Sequence, residues 1–227
     1  MRKRPITTLF MLMSVDGKIS TGASDNLDVD KDFPIINCTK AGLHQYYEIE
    51  RTTDLWSVNS GRVMAKIGVN DKPLPNKRDV SFVIIDNSHL SVHGVEYFSK
   101  LAKTFVLVTS NKSHPAYSLA IDNVNFIYQE SFDPVDMLEH LYDKFGCERI
   151  TIQTGGTLNG LFLRVKTFDF IDIIVAPVLI GGKDTSTLID GSSLLLPNEL
   201  NKVGELKLES CDMLLDSYVR LRYKVIG

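Results

Sequence analysis

Apolar runs of strand length punctuate the chain: "ITTLFMLM", "DLWSV", "VSFVIID", "TFVLVTS", "VNFIYQ", "RITIQT" and "FDFIDIIVAPVLI". Several are β-branched and nearly continuous, the pattern of strands buried on both faces of a largely parallel sheet. Segments of helical period lie between them. "TKAGLHQYYEIERTT" predicts a helix capped at Thr39, and "DPVDMLEHLYDKFG" carries Asp133 as N-cap, Pro134 at the first helical position and Gly146 as its stop. Strands alternating with helices imply crossover connections. Near the C-terminus, "ELKLESCDMLLDSYVRLRYKVIG" alternates polar and apolar residues on both sides of a break at Asp212 to Asp216, which predicts an antiparallel hairpin. The predicted class is therefore α/β, with a central, mostly parallel sheet flanked by helices and a C-terminal antiparallel hairpin. The loops near Asp71 to Arg78 and Gly191 to Pro197 are too short to separate domains, so residues 1–227 are expected to form a single domain.

Composition narrows the function classes. A hydrophobic content of 44% over 227 residues provides for a sizeable core, and a net charge of −3 without a basic run argues against nucleic acid as a partner. The basic and apolar start, "MRKRPITTLFMLMSVDG", has no small-residue cleavage site and meets Asp16 and Lys18 at once, so it reads as a first strand. No apolar run approaches the roughly 20 residues that cross a bilayer. Cys38, Cys147 and Cys211 form neither a C-x-x-C pair nor an even disulfide framework, which points to a reduced, cytoplasmic chain. His44, His89, His93, His114 and His140 show no metal-ligand spacing and are read as surface or packing residues, so no metal is expected. Trp56 is read as core.

Candidate chemistry gathers at glycine turns that follow strands. Gly155 and Gly156 separate "RITIQT" from "TLNGLFLRV", whose Leu158, Leu161, Phe162 and Val165 fall at helical spacing. Such a turn either is a plain tight turn or exposes backbone N–H groups to an anion such as a diphosphate, with no Cβ to block approach. A second pair, Gly181 and Gly182, follows "APVLI", and Ser60 with Gly61 precede a run in which Arg62 and Lys66 stand one helical turn apart. At the N-terminus Asp16 and Gly17 make a turn that places Lys18 just beyond the first strand, as an exposed lysine or as a ligand for an anionic substrate.

Taken together, "MLMSVDGKIS", Arg51 and Asp54 ahead of "SVNSGRV", "VIIDNS", "IQTGGTLNGLFL" and "FIDIIVAPVLIGGKDTSTLIDG" resemble the riboflavin-biosynthesis pyrimidine reductase family over nearly the whole chain. The resemblance implies a dihydrofolate-reductase-like fold and an NADPH-dependent reductase of 5-amino-6-(5-phosphoribosylamino)uracil or its 2,5-diamino analogue, with hydride passing to ribose C1′. No H-x-E…P-C-x-x-C motif is present, so the reductase is expected without a deaminase domain. By the same resemblance Ser60, Gly61, Asn87, Ser88, Gly155, Gly156, Thr157, Leu158 and Asn159 line NADPH. Lys18, Arg51 and Gln153 face the pyrimidine ribosyl phosphate, no catalytic residue is assigned, and a homodimer is implied.

The sequence departs from the family on the substrate side. Gln153 stands where a glutamate is common, Arg62 where a threonine is, and Lys66 where an aspartate is. Asp25, Asp28, Asp30 and Asp32 are either a replacement source of carboxylate or a solvated loop. Two alternatives therefore stay open: an NADPH-dependent reductase of another pterin-like or heterocyclic substrate, and a non-catalytic nucleotide-binding paralogue.

Overall fold

A computed structural model describes residues 3–227; Met1 and Arg2, the start of the basic segment, lie outside the described residues. Along the chain the elements are β1 (Ile6–Ser14), α1 (Val29–Asp32), α2 (His44–Glu50), β2 (Trp56–Ser60), α3 (Gly61–Lys66), β3 (Ser81–Ile85), α4 (Val92–Leu101), β4 (Phe105–Thr109), β5 (Val124–Tyr128), α5 (Pro134–Phe145), β6 (Arg149–Gln153), α6 (Gly156–Arg164), β7 (Phe170–Ala176), β8 (Leu206–Met213) and β9 (Val219–Val225). They fall into two compact units, each drawn from separate stretches of chain: 3–6 with Asp54–Thr154, and Thr7–Thr53 with Gly155–Gly227.

The first unit carries five strands in the order β5-β4-β3-β2-β6, every pair parallel. All five residues of β4 are buried, which is why that strand reads as an unbroken apolar run. From α4, Val95, Phe98 and Leu101 join Ile84, Phe105 and Leu107 in one core; full burial of each such side chain stabilises by about 2 kcal/mol. The termini of α5 are as its sequence predicts: the Asp133 carboxylate accepts from the N–H groups of Val135 and Asp136, and Gly146 closes the helix at φ 64°. Trp56 is half-buried, edge-on to Phe145.

In the second unit β1 runs parallel to β7, while β9 pairs antiparallel with β7 and β8 antiparallel with β9. The parallel body and the antiparallel C-terminal hairpin are thus both observed. Phe10, Phe33, Tyr46, Ile174 and Tyr218 form its core, with Phe10 and Tyr46 stacked at 5.2 Å. Across β7 and β9, the buried Asp172 carboxylate accepts a two-pronged contact from Arg220, at 2.9 and 2.6 Å, with Arg222 at 3.4 Å. That fork fixes the cross-strand register more than it adds net stability.

Three local expectations change. Thr39 does not cap α2: its hydroxyl donates back to the carbonyls of Phe33 and Ile36, and the helix starts after Leu43 without a side-chain cap. Gly42 is held under the Tyr218 ring, whose hydroxyl donates to Thr39 O, and this packing delays the helix. The apolar run after Phe168 ends as a strand at Ala176 because Pro177 follows, with no N–H to continue a ladder. In the hairpin, β8 is exposed along nearly its whole length, including Leu206, Leu208 and Met213.

Replacing Asp133 by Ala removes the α5 cap and is expected to lower stability by about 1 kcal/mol. The change is read as a drop in the urea midpoint with the slope unchanged.

Candidate active site

Apart from Arg51, the polar groups flagged by sequence lie at or just after the ends of parallel strands, the usual position of ligands in open α/β sheets. In the second unit the D-G-K turn follows β1 and the loop bearing Gly181 and Gly182 follows β7. The two are laced together. Asp16 accepts from Ser14 Oγ at 2.6 Å, from Ile180 N at 3.1 Å and from Gly181 N at 2.6 Å. Ser14 first, then those two amides, hold its carboxyl at about 2, below the usual carboxylate range. The buried Lys18 donates through Nζ to Gly182 O at 2.7 Å and Thr185 O at 2.9 Å, so two of its three N–H bonds go to the loop. Backbone bonds from Ile19 to Ser186 and from Leu188 to Gly17 complete the seam.

The same loop closes over α6. Asp190 N donates to Gly156 O, and Asn159 Nδ2 donates to Leu188 O at 2.8 Å. A Cβ on Gly156 would collide with Thr187 O and the Asp190 carboxylate, and one on Gly160 would collide with Asp190 O. The missing side chain at Gly156 therefore makes room for the protein's own loop, a packing role that the sequence does not reveal. What stays on offer is the start of α6 itself. Gly155 is the N-cap in extended conformation and provides no side-chain cap, while Thr157 is exposed and Leu158 half-buried.

In the first unit Ser60 precedes α3 and likewise provides no side-chain cap, in contrast to Ser91 on α4 and Asp133 on α5. Gly61 is buried because the Asp86 carboxylate occupies the space of its Cβ. Asp86, at the end of β3, is a residue the sequence reading did not single out. It accepts from the N–H groups of His89 and Leu90, from His89 Nδ1 at 2.9 Å and from the buried His114 Nε2 at 3.0 Å. Burial alone would push its carboxyl up; the bonds from His114, Leu90 and His89 outweigh that and hold it well below the usual range. Ala116 N donates to His114 Nδ1, which leaves the ring proton on Nε2. Asn87 Oδ1 accepts from Thr109 Oγ1, Ser110 N and Ser110 Oγ, so its side chain joins the ends of β3 and β4, while Ser88 is exposed.

Gln153 ends β6, and its Oε1 accepts from Ser57 Oγ at 3.1 Å, which in turn accepts from Asn59 Nδ2 at 2.8 Å. Arg51 is exposed at the C-terminus of α2. The acid-rich stretch is used internally: Asp28 caps α1, Asp32 accepts from Thr21 Oγ1 and Asp28 N, and Asp30 accepts from Tyr47 OH. Among the described residues no cluster of three His, Cys, Asp or Glu is placed to hold a metal, and no helix is long and apolar enough to cross a membrane. Burial pushes the Cys147 thiol up to about 12, leaving it inert near neutral pH.

A mostly parallel α/β chain with uncapped helices opening at its strand ends has the build of a ligand-binding enzyme fold. More particularly, residues 5–211 match the model of the RibD C-terminal domain, and the chain belongs to that family. It is 25% identical over 198 residues to the 2,5-diamino-6-ribosylamino-4(3H)-pyrimidinone 5′-phosphate reductase of Methanothermobacter thermautotrophicus, covering 84% of this chain and 86% of that one. The protein of the same name from Archaeoglobus fulgidus is 26% identical over 216 residues, covering 88% and 93%. Among solved structures, RibD of Acinetobacter baumannii aligns with a TM-score of 0.68 at 17% identity over 98% of this chain, which spans 58% of that longer chain. A pyrimidine reductase-like protein from Corynebacterium diphtheriae gives 0.68 at 17% identity, covering 98% and 92%. These likenesses show the shared fold.

Gly156→Val forces the Thr187–Asp190 loop off α6 and is expected to lower the melting temperature whether or not a ligand is present, since a branched side chain has no space there. An unchanged melting curve would sink that account. A second expectation concerns acid. Because native Asp86 has its pKa depressed, its stabilisation is fully present above the unfolded value of about 3.9 and is lost as pH falls toward the native value. Urea midpoints from pH 7 to pH 2 are expected to fall less steeply below about pH 4 in Asp86→Asn than in the parent chain.

Proposed function

We propose that the chain is an NADPH-dependent oxidoreductase of riboflavin biosynthesis, acting on 5-amino-6-(5-phosphoribosylamino)uracil or its 2,5-diamino analogue at C1′ of the ribosyl group. The observation that carries this reading is the likeness, over most of both chains, to two archaeal relatives named as reductases of a ribosylamino-pyrimidinone phosphate. Each unit has a helix start that fits a phosphate: α3 in the first and α6 in the second open at strand ends without a side-chain cap. When bound, NADPH supplies the hydride that turns ribosyl into ribityl.

The protein's own part is binding and orientation. In the first unit Ser60, Gly61, Asn87 and Ser88 are assigned to the cofactor; Asn87 acts by fixing the loop and Ser88 by its exposed hydroxyl. In the second unit the assignment is Gly155, Gly156, Thr157, Leu158 and Asn159, with the amides of the first turn of α6 offered to the diphosphate and Asn159 anchoring the loop above. Lys18, Arg51 and Gln153 are assigned to the substrate. Lys18 keeps its third N–H for a ligand oxygen, and the exposed guanidinium of Arg51 suits a phosphate.

A reduced, cytoplasmic homodimer completes the reading. Cys38, Cys147 and Cys211 are free thiols. Leu206 of β8 lines an apolar cavity of about 320 Å³ together with Leu188, Ile189, Leu194, Val203 and Val225, and Leu208 and Met213 are exposed further along the same strand. A different heterocyclic substrate is the second reading, favoured by Gln153, whose amide cannot act as a base as a carboxylate does.

Fluorescence titration with NADPH, followed by absorbance at the nicotinamide band, tests both. Binding and oxidation on adding the pyrimidine ribosyl phosphate are expected. Binding without oxidation transfers the reading to another substrate, and no binding removes the reductase assignment.

A further inference from the structure

On one face of the first unit, β2 and β6 carry polar side chains where a packed sheet carries apolar ones. Ser57, Asn59 and Thr151 are buried there, and the half-buried Gln153 stands beside Asn59 in the parallel register. Most of this polarity is consumed within the unit. Thr151 Oγ1 donates to Asp54 Oδ2 at 3.2 Å, and Ser57 Oγ donates to Gln153 Oε1 at 3.1 Å. A serine hydroxyl has one proton, so the Ser57 oxygen, having given it to Gln153, takes an N–H from Asn59 Nδ2 at 2.8 Å. That contact fixes the two ends of the Asn59 amide: Nδ2 faces Ser57 and Oδ1 faces away from it.

The Asn59 oxygen is left over. Asn59 is only 6% exposed, yet its Oδ1 has no partner among the described residues. No fully buried side-chain N or O among those residues lacks a partner, so this oxygen lies at an opening. A neutral acceptor held at a nearly closed position is matched by a neutral N–H. It is mismatched by a carbonyl or phosphate oxygen, which would leave two acceptors facing each other unpaired. We infer that Asn59, held by Ser57, is a specificity-determining residue that accepts a hydrogen bond from a ring, amine or amide N–H of the bound heterocycle. Two sources share this chemistry: the carboxamide of nicotinamide, and the ring N–H or amino group of the pyrimidine. The inference rests on the reductase reading for which heterocycle is bound, and not for the acceptor itself.

Calorimetry and steady-state kinetics on the full chain, for the parent and for Asn59→Leu, test it; leucine keeps the bulk and removes the acceptor. Loss of one hydrogen bond is expected to weaken the ligand by about tenfold. The parent is expected to bind NADP⁺ about tenfold more tightly than the 3-acetylpyridine analogue, which has a methyl group in place of the carboxamide nitrogen, and Asn59→Leu to bind the two alike. A rise of about tenfold in KM for the pyrimidine ribosyl phosphate, with KM for NADPH unchanged, instead supports the acceptor and assigns it to the substrate. Equal weakening of cofactor and substrate, or no change in either, overturns it. Should Asn59→Leu not fold, or the parent not bind NADPH, the side-chain amide resonances of Asn59 in the ¹⁵N-labelled parent provide the readout. Movement on titration with nicotinamide or with 5,6-diaminouracil supports the acceptor, and immobility with both overturns it. Failure to bind NADPH would strike the reductase reading alone, because those two probes still report on Asn59.

Discussion

The second unit depends on how its β7-to-β8 connection is tied by hydrogen bonds to the D-G-K turn and to the start of α6. The loop is exposed at Gly181 and Gly182, both at positive φ, and has no ladder of its own to fix its course. Asp16 takes two of the amides, Lys18 takes two of the carbonyls, and α6 takes Asp190 N and Leu188 O. Segments far apart in sequence, the D-G-K turn, the glycine pair before α6 and the G-G-K-D loop, are thereby one physical piece. Their residue types follow from that joint: a short acceptor, a long donor, and glycines where one backbone lies on another.

Asp86 serves the first unit in the same way. Aspartate is short and, when ionised, accepts several hydrogen bonds, so one carboxylate can bind the turn into α4, hold His114 and lie against Gly61. Both aspartates at these strand ends are held ionised by donors, Asp16 at the rim and Asp86 in the interior. The rigidity they confer has a chemical side. No side chain caps α3 or α6, although Ser60 precedes the first; in the proposed reductase the backbone amides of these helix starts are the groups offered to an anion.

Much of this was legible in the sequence, and the misses share a cause. Unbroken apolar runs located the parallel strands, most plainly β4, both of whose faces are covered, and alternation located the hairpin. Local chemistry fixed α5, where Asp133, Pro134 and Gly146 act within a few residues of themselves. What escaped is set by partners distant in sequence. Thr39 has a capping side chain, yet Tyr218 claims its surroundings. The pattern of α4 is interrupted by Gly94, which is there because Asn70 Oδ1 fills the space of a Cβ. The partners of Asp86 stand 3 and 28 residues away at His89 and His114, a spacing that matches no motif, so two of the five histidines gave no sign of their shared carboxylate. Gly156 looked bare for a ligand's sake because only the fold shows Thr187 and Asp190 against it.

The substrate side turns on what Gln153 changes. Ser57 donates to its Oε1, and a carboxylate in that place would accept the same bond, so Ser57 and Asn59 are indifferent to the replacement. The difference lies in the other half of the group: an amide adds N–H donors where a carboxylate has a second acceptor and a charge. In the proposed reductase this shifts the group from holding a cationic centre or taking a proton to holding a carbonyl oxygen. A pyrimidinone ring has such an oxygen, so the replacement is compatible with recognition of the heterocycle. It moves any proton transfer to a group other than residue 153.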